Sequence, residues 1–215
     1  MTAQRKTPLW DSKDCALIFI DYQPEVLDGV HEKDRQLIEL NACTLARMAR
    51  RFEIPVILST VAVKLGVDSP TIASLKAEMP DIEEIDRTSM DAWEDEAFVN
   101  AVKATGRRKL VICGIVTSVC LAFPAVHAIS EGYSVAFVAD AIGDRTKEDH
   151  EMAVLRLVQA GAVPMTTAGM MAEWFRDWAS PLAKQAREVY PGFLLEFSKI
   201  KGWPTPLWTK KNQAK

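Results

Sequence analysis

The sequence is poor in the residues that build metal centres and redox clips. Its 215 residues hold only three histidines and four cysteines, Cys15, Cys43, Cys113 and Cys120, and no spacing among them forms a CxxC pair or a zinc knuckle. Free thiols are therefore expected, as in a reducing cytoplasm. No apolar run approaches the length that spans a bilayer, and the first ten residues carry no hydrophobic leader core. A cytoplasmic protein with no membrane contact is the expectation. A basic excess is also missing: 26 Lys and Arg against 29 Asp and Glu give a net charge of −3, with none of the positive clustering that binds nucleic acid. The first strand–helix turn, Asp21-Tyr-Gln-Pro-Glu-Val-Leu-Asp-Gly29, lacks GxGxxG, which removes the dinucleotide-binding reading.

What is present is an alternation. Short apolar runs at 15–21, 56–60, 82–85, 109–114, 134–140 and 163–167 are separated by helix-like stretches at about 34–52, 71–79, 94–105, 119–131 and 147–160. Near-continuous apolar strands between helices predict an α/β fold, a doubly wound three-layer sandwich on a six-stranded, mainly parallel sheet. Its site is expected beyond the carboxyl ends of the strands. From about 180 the pattern changes. Pro181, Pro191, Pro204 and Pro206 alternate with Tyr190, Phe193, Phe197, Trp203 and Trp208. A domain over 1–180 and a C-terminal arm over 181–215 are expected, the arm covering either its own chain or a neighbouring subunit.

Gly114-Ile-Val-Thr-Ser-Val-Cys120 is the strongest local signal. A strand ends at glycine, the chain turns, and a cysteine arrives near the start of a helix, where the helix terminus favours thiolate. A packed core thiol is the alternative. Asp21 closes the first strand and would share a crevice with Cys120 if strands 1 and 4 are neighbours. Arg87 follows the third strand and could hold a thiolate by its permanent charge.

Asp21, Arg87 and Gly114-Ile-Val-Thr-x-x-Cys120, together with Phe98-Val-x-Ala-Val-Lys-Ala-Thr-Gly106 and Cys120-x-Ala-Phe-Pro124, resemble the isochorismatase-like superfamily of cysteine hydrolases, and its YcaC-like branch in particular, over roughly residues 10–180. The resemblance implies Cys120 as nucleophile, Asp21 as proton acceptor and Arg87 at a position usually filled by lysine. It also implies a cis peptide between Ile115 and Val116 that turns the N–H groups of Val116 and Cys120 into an oxyanion hole. The implied activity is hydrolysis of a small amide-like C–N bond through a thioester, with no cofactor, in a homo-oligomer that could be an octamer.

Metal-binding relatives carry histidines after the second strand. Here that segment reads Val61-Ala-Val-Lys-Leu-Gly-Val-Asp68, and His31, His127 and His150 fall elsewhere, so no metal is expected. Gln23, Trp93 and Phe123 are candidate pocket walls beside the acid, base and thiol elements. The ether-cleaving type of the superfamily lacks the cysteine. The rival from another class is a non-catalytic oligomer of the same fold whose thiol senses oxidants.

Overall fold

The structure, a computed structural model, describes residues 9–206. Six parallel strands, β1 (Cys15–Ile20), β2 (Val56–Val61), β3 (Glu84–Arg87), β4 (Lys109–Gly114), β5 (Ser134–Val138) and β6 (Val163–Met165), form one sheet in the order β3-β2-β1-β4-β5-β6. The chain starts at the centre, winds to one edge through β2 and β3, then returns to β4 and winds to the other. β1 and β4 therefore flank the switch point where a doubly wound sheet opens its crevice. Every residue of β1 is buried, as its unbroken apolar sequence requires of a strand covered on both faces.

Eight α-helices are described: α1 (Pro24–Asp28), α2 (Arg35–Arg51), α3 (Ala73–Glu78), α4 (Glu96–Ala104), α5 (Ala122–Ser130), α6 (Lys147–Gln159), α7 (Thr167–Phe175) and α8 (Pro181–Lys201). Side-chain oxygens of Asp34, Asp95, Thr146, Thr166 and Ser180 accept from the first-turn N–H groups of α2, α4, α6, α7 and α8.

Three expectations change. The third strand lies two residues further on than its apolar run, so Arg87 ends the strand rather than following it. The helix expected over 119–131 is two elements, a π-helical turn over Thr117–Leu121 and then α5. Residues Pro181–Lys201 of the proline-broken tail form one helix of 21 residues. Pro181 sits in its first turn, where no N–H is needed, and only Pro191 interrupts the hydrogen-bond ladder. Ala183, Ala186, Val189 and Phe193 recur at helical spacing and are buried in the same core as β1 and β4, against α2 and α7. That burial outweighs one missing hydrogen bond. The aromatic residues continue as a ladder, Phe175–Trp178–Tyr190–Phe193–Phe197–Trp203, with neighbouring centroids 4.7–6.4 Å apart. Trp178 and Trp203 are more than half exposed, and Trp208 lies outside the described residues.

Candidate active site

Asp21 is the first residue past β1, and its backbone is in the left-handed region at φ 61°. Few non-glycine residues hold that conformation, and aspartate is among those that do so most readily. Here Asp21 N–H donates to Ser59 O at 3.0 Å, and the side chain is wholly buried. On the adjoining strand Ile20 pairs with Gly114, and Ile115 N–H returns to Ile20 O at 3.0 Å, so the chain after β4 opens beside Asp21.

Gly114 lets the next element fold back onto the strand. A β-carbon there would lie 3.1–3.2 Å from the Cβ, Cα and N of Leu121, which no ordinary side-chain shift relieves. The Ile115–Val116 peptide is cis. Val116 O accepts from both Val119 N–H and Leu121 N–H, the second spanning five residues and closing the π turn. Such turns occur frequently at functional sites.

Arg87 arrives from two strands away. Alternate strands lie about 9–10 Å apart, and the guanidinium crosses that gap over β2, donating to Thr60 O at 3.0 Å and Ser59 Oγ at 3.3 Å. It ends on Asp21 as a bidentate pair, Nη1–Oδ1 2.7 Å and Nη2–Oδ2 2.8 Å, with both side chains sealed from solvent. An isolated arginine on an edge strand reads as a surface residue; the charge it meets is what draws this one inward.

Cys120 sits in the turn with its sulfur beside the Asp21 carboxylate, close to Arg87 and faced by the Val116 N–H. The expected helix-terminus effect does not prevail. Burial, followed by the charge of Asp21, pushes the thiol up to about 12, against the smaller opposing pulls of Val116 N–H and Arg87. The resting group is a thiol beside a neighbouring carboxylate. Burial also pushes Cys15 to about 12 and Cys43 to about 11, and raises Cys113. Thiol acidity does not single out Cys120. Its partners do, together with its place on a cavity.

That cavity measures about 380 Å³ and is lined by Cys120, Val116, Val119, Val26, Gly29, Val61 and Met90, with Glu25, Asp68 and Arg145 supplying the charges. None of the three expected wall residues lines it. Gln23 is fully buried, and its amide is spent on backbone: Nε2 donates to Val61 O (2.9 Å) and Ser69 O (2.8 Å), and Oε1 accepts from Val61 N–H (2.9 Å). It pins the loop after β2. Trp93 packs edge-on against Phe98 and Tyr133, and Phe123 lies under Arg156. The actual wall comes from five separate segments of the chain, and no spacing in the sequence announces it. Among the described residues, no group of three or more His, Cys, Asp or Glu side chains is arranged to hold a metal ion. No helix among them is long and apolar enough to cross a membrane.

Residues 15–169 match the isochorismatase domain family. The chain belongs to the isochorismatase family. It is 40% identical to the "probable hydrolase YcaC" of Escherichia coli over 173 residues, 80% of this chain and 83% of that protein. The crystal structure of the E. coli ycaC product, described as an octameric hydrolase of unknown specificity, superposes with a TM-score of 0.83 at 36% identity, covering 93% of this chain and 97% of the other. YcaC from Pseudomonas aeruginosa, solved with hexane-2,5-diol and covalent acrylamide, gives a TM-score of 0.80 at 34% identity over 89% and 92% of the two chains. The molecule is thus an isochorismatase-like hydrolase related to YcaC. Within the family fold, Asp21, Arg87 and Cys120 stand at the carboxyl ends of β1, β3 and β4.

Proposed function

We propose that this protein is a cysteine hydrolase that cleaves the C–N bond of a small amide-like molecule through a thioester on Cys120. The observation that carries the reading is the Cys120 thiol on the cavity, beside an Asp21 carboxylate whose two oxygens are clamped by Arg87. A thiol raised to about 12 needs a base at the moment of attack, and Asp21 is that base.

Asp21 takes the Sγ proton as sulfur bonds to the carbonyl carbon. The C=O π pair moves onto oxygen, where the N–H groups of Val116 and Cys120 receive it. The tetrahedral species collapses, the C–N bond breaks, and the leaving nitrogen takes the proton from Asp21, leaving a thioester. Water then adds while Asp21 accepts its proton. The C–S bond breaks, sulfur regains a proton, and a carboxylic acid departs. Arg87 holds Asp21 in place throughout and balances the charge of the thiolate as it forms. The mostly aliphatic wall favours a compact, weakly polar acyl group.

The covalent acrylamide in P. aeruginosa YcaC supports a reactive nucleophile in a related protein, since acrylamide bonds to thiolates. The octameric E. coli relative, together with the exposed Trp178 and Trp203 at the ends of the aromatic ladder, supports a homo-oligomer with α8 near an interface. Light scattering should return a mass several times that of the 23.9 kDa chain. The functional test is a panel of small amides, carbamoyl compounds and cyclic imides, with thioester capture at Cys120 read by mass spectrometry. Turnover with acyl adducts on Cys120 supports the reading. Turnover undiminished in Cys120→Ser would sink it, and reversible peroxide oxidation of Cys120 without any hydrolysis would favour the redox-sensing alternative.

A further inference from the structure

Lys33 and His150 take no part in the chemistry above, yet they lie directly behind the nucleophile turn. Lys33 Nζ has three N–H donors and three acceptors: Ala139 O at 2.9 Å, Ile142 O at 3.3 Å and His150 Nε2 at 2.8 Å. An ammonium only donates, so Nε2 must present its lone pair and the ring proton must sit on Nδ1. Nδ1 faces Thr117 Oγ1 at 3.0 Å, with Glu32 Oε1 further off at 3.6 Å. Burial first, then Lys33, holds His150 down at about 4, which agrees with a neutral ring.

Thr117 is the first residue of the π turn that carries Cys120 and follows Val116 directly. Its N–H donates to Gly143 O at 2.9 Å. The next N–H, that of Ser118, donates to Asp144 Oδ2 at 2.7 Å, and Asp144 N–H donates to Glu32 Oε1 at 2.9 Å. Both leading residues of the turn are thus moored from behind to the segments around Lys33 and 139–145. The Thr117 hydroxyl is the only one of these moorings made through an ionisable ring.

We propose that Lys33 and His150 are positioning residues for the nucleophile turn: Lys33 selects the Nδ1–H tautomer of His150, and that proton, given to Thr117 Oγ1, sets the angle at which the Val116 and Cys120 N–H groups face the cavity. The consequence for rate rests on the hydrolase reading; the tautomer and the mooring of the turn do not.

The experiment compares the intact wild-type chain with Lys33→Met, His150→Leu and His150→Asn, whose side-chain amide N–H replaces the Nδ1 donor. Three quantities are read: the ring-nitrogen chemical shifts of His150, backbone amide exchange over 117–121, and Cys120 acylation by 4-nitrophenyl acetate relative to alkylation by iodoacetamide. The ester builds an oxyanion and the alkylation does not, so their ratio reports the N–H donors and is insensitive to general loosening. Expected are an Nδ1–H ring in the wild type and, in Lys33→Met and His150→Leu, exchange of the turn amides faster by about tenfold or more with β1 and β4 unchanged. The acylation-to-alkylation ratio should fall by about tenfold or more in those two variants and largely recover in His150→Asn. An Nε2–H ring in the wild type overturns the proposal, and needs no variant to fold. So does unchanged turn exchange, or exchange that accelerates evenly across the sheet. If the wild type is not acylated at all, the hydrolase reading falls, and the tautomer and exchange data still decide this one.

Discussion

Arg87 stands on the far side of β2 from Asp21 and still meets both carboxylate oxygens, at 2.7 and 2.8 Å, where neither side chain touches solvent. Two ions taken out of water recover that cost only when geometry and remaining hydrogen bonds are close to ideal. Here Thr60 O and Ser59 Oγ also accept from the guanidinium, while Arg87 Nε is left buried without a partner.

Removing one partner strands the other. Arg87→Met is expected to destabilise the fold by about 3–5 kcal/mol because the Asp21 carboxylate is left buried and alone. The double variant Asp21→Asn/Arg87→Met should be more stable than Arg87→Met itself. Urea unfolding midpoints of the four proteins give the coupling, and simple additivity would contradict the enclosed pair.

Reactivity of Cys120 should track the thiolate fraction. With the thiol pushed up to about 12, iodoacetamide labelling should climb about tenfold per pH unit and show no plateau below pH 10. Asp21 is the leading charged cause of that rise, so Asp21→Asn should label faster than wild type at pH 8 while losing turnover. Peptide mass spectrometry resolves the site. A plateau near neutral pH would show an activated thiolate instead.

Gly114 is held by proximity. In Gly114→Ala the new methyl meets the backbone and Cβ of Leu121 at 3.1–3.2 Å, so the turn must move outward. A loss of about 1–3 kcal/mol is expected, with acylation of Cys120 falling more than stability alone explains. Thermal unfolding and ester acylation, measured together, check both halves.

Acid should weaken the mooring behind the turn. The folded His150 sits near 4, below its ordinary value of about 6.5, so the unfolded chain binds the extra proton first. Its contribution is full above about pH 6.5 and is lost as pH falls toward 4. The groups facing it are Lys33, Glu32, Asp144 and Glu151, and Asp140 acts on Lys33 behind them. Glu32 and Asp140, raised by burial, act in the opposite sense, and they are common to wild type and His150→Asn. The wild type should therefore lose more melting temperature than His150→Asn between pH 7.5 and pH 5; an equal loss would contradict the assignment.

The sheet is legible because β1 and β4 are unbroken apolar runs, and Asp21 and Gly114 stand where those runs stop. Cys120 is picked out in the sequence by the family resemblance of Gly114-Ile-Val-Thr-x-x-Cys120, since position alone suits a packed core thiol equally well. Arg87 is recognisable as a candidate, but its burial is not, since a guanidinium is drawn inward only by an acid 66 residues away. The cavity wall depends on segments that meet only in space. α8 is hidden by its prolines, which local preference reads as breaks and which the packing of Phe193 and Val189 overrides. The direction of the Cys120 shift was out of reach for a related reason: the helix terminus is a local effect, whereas burial and the nearby acid are products of the finished fold.

The bond across β2 also acts as a gauge of strand register. Val61 pairs with Arg87, and side chains alternate faces along a strand, so a slip of β3 by one residue would carry the guanidinium to the opposite side of the sheet. Asp21 would then be enclosed without its counterion. Edge strands of four residues are the parts of a sheet most free to pair wrongly, and here the mispaired sheet is penalised by the buried charge of Asp21. The site thereby helps to specify the sheet that builds it.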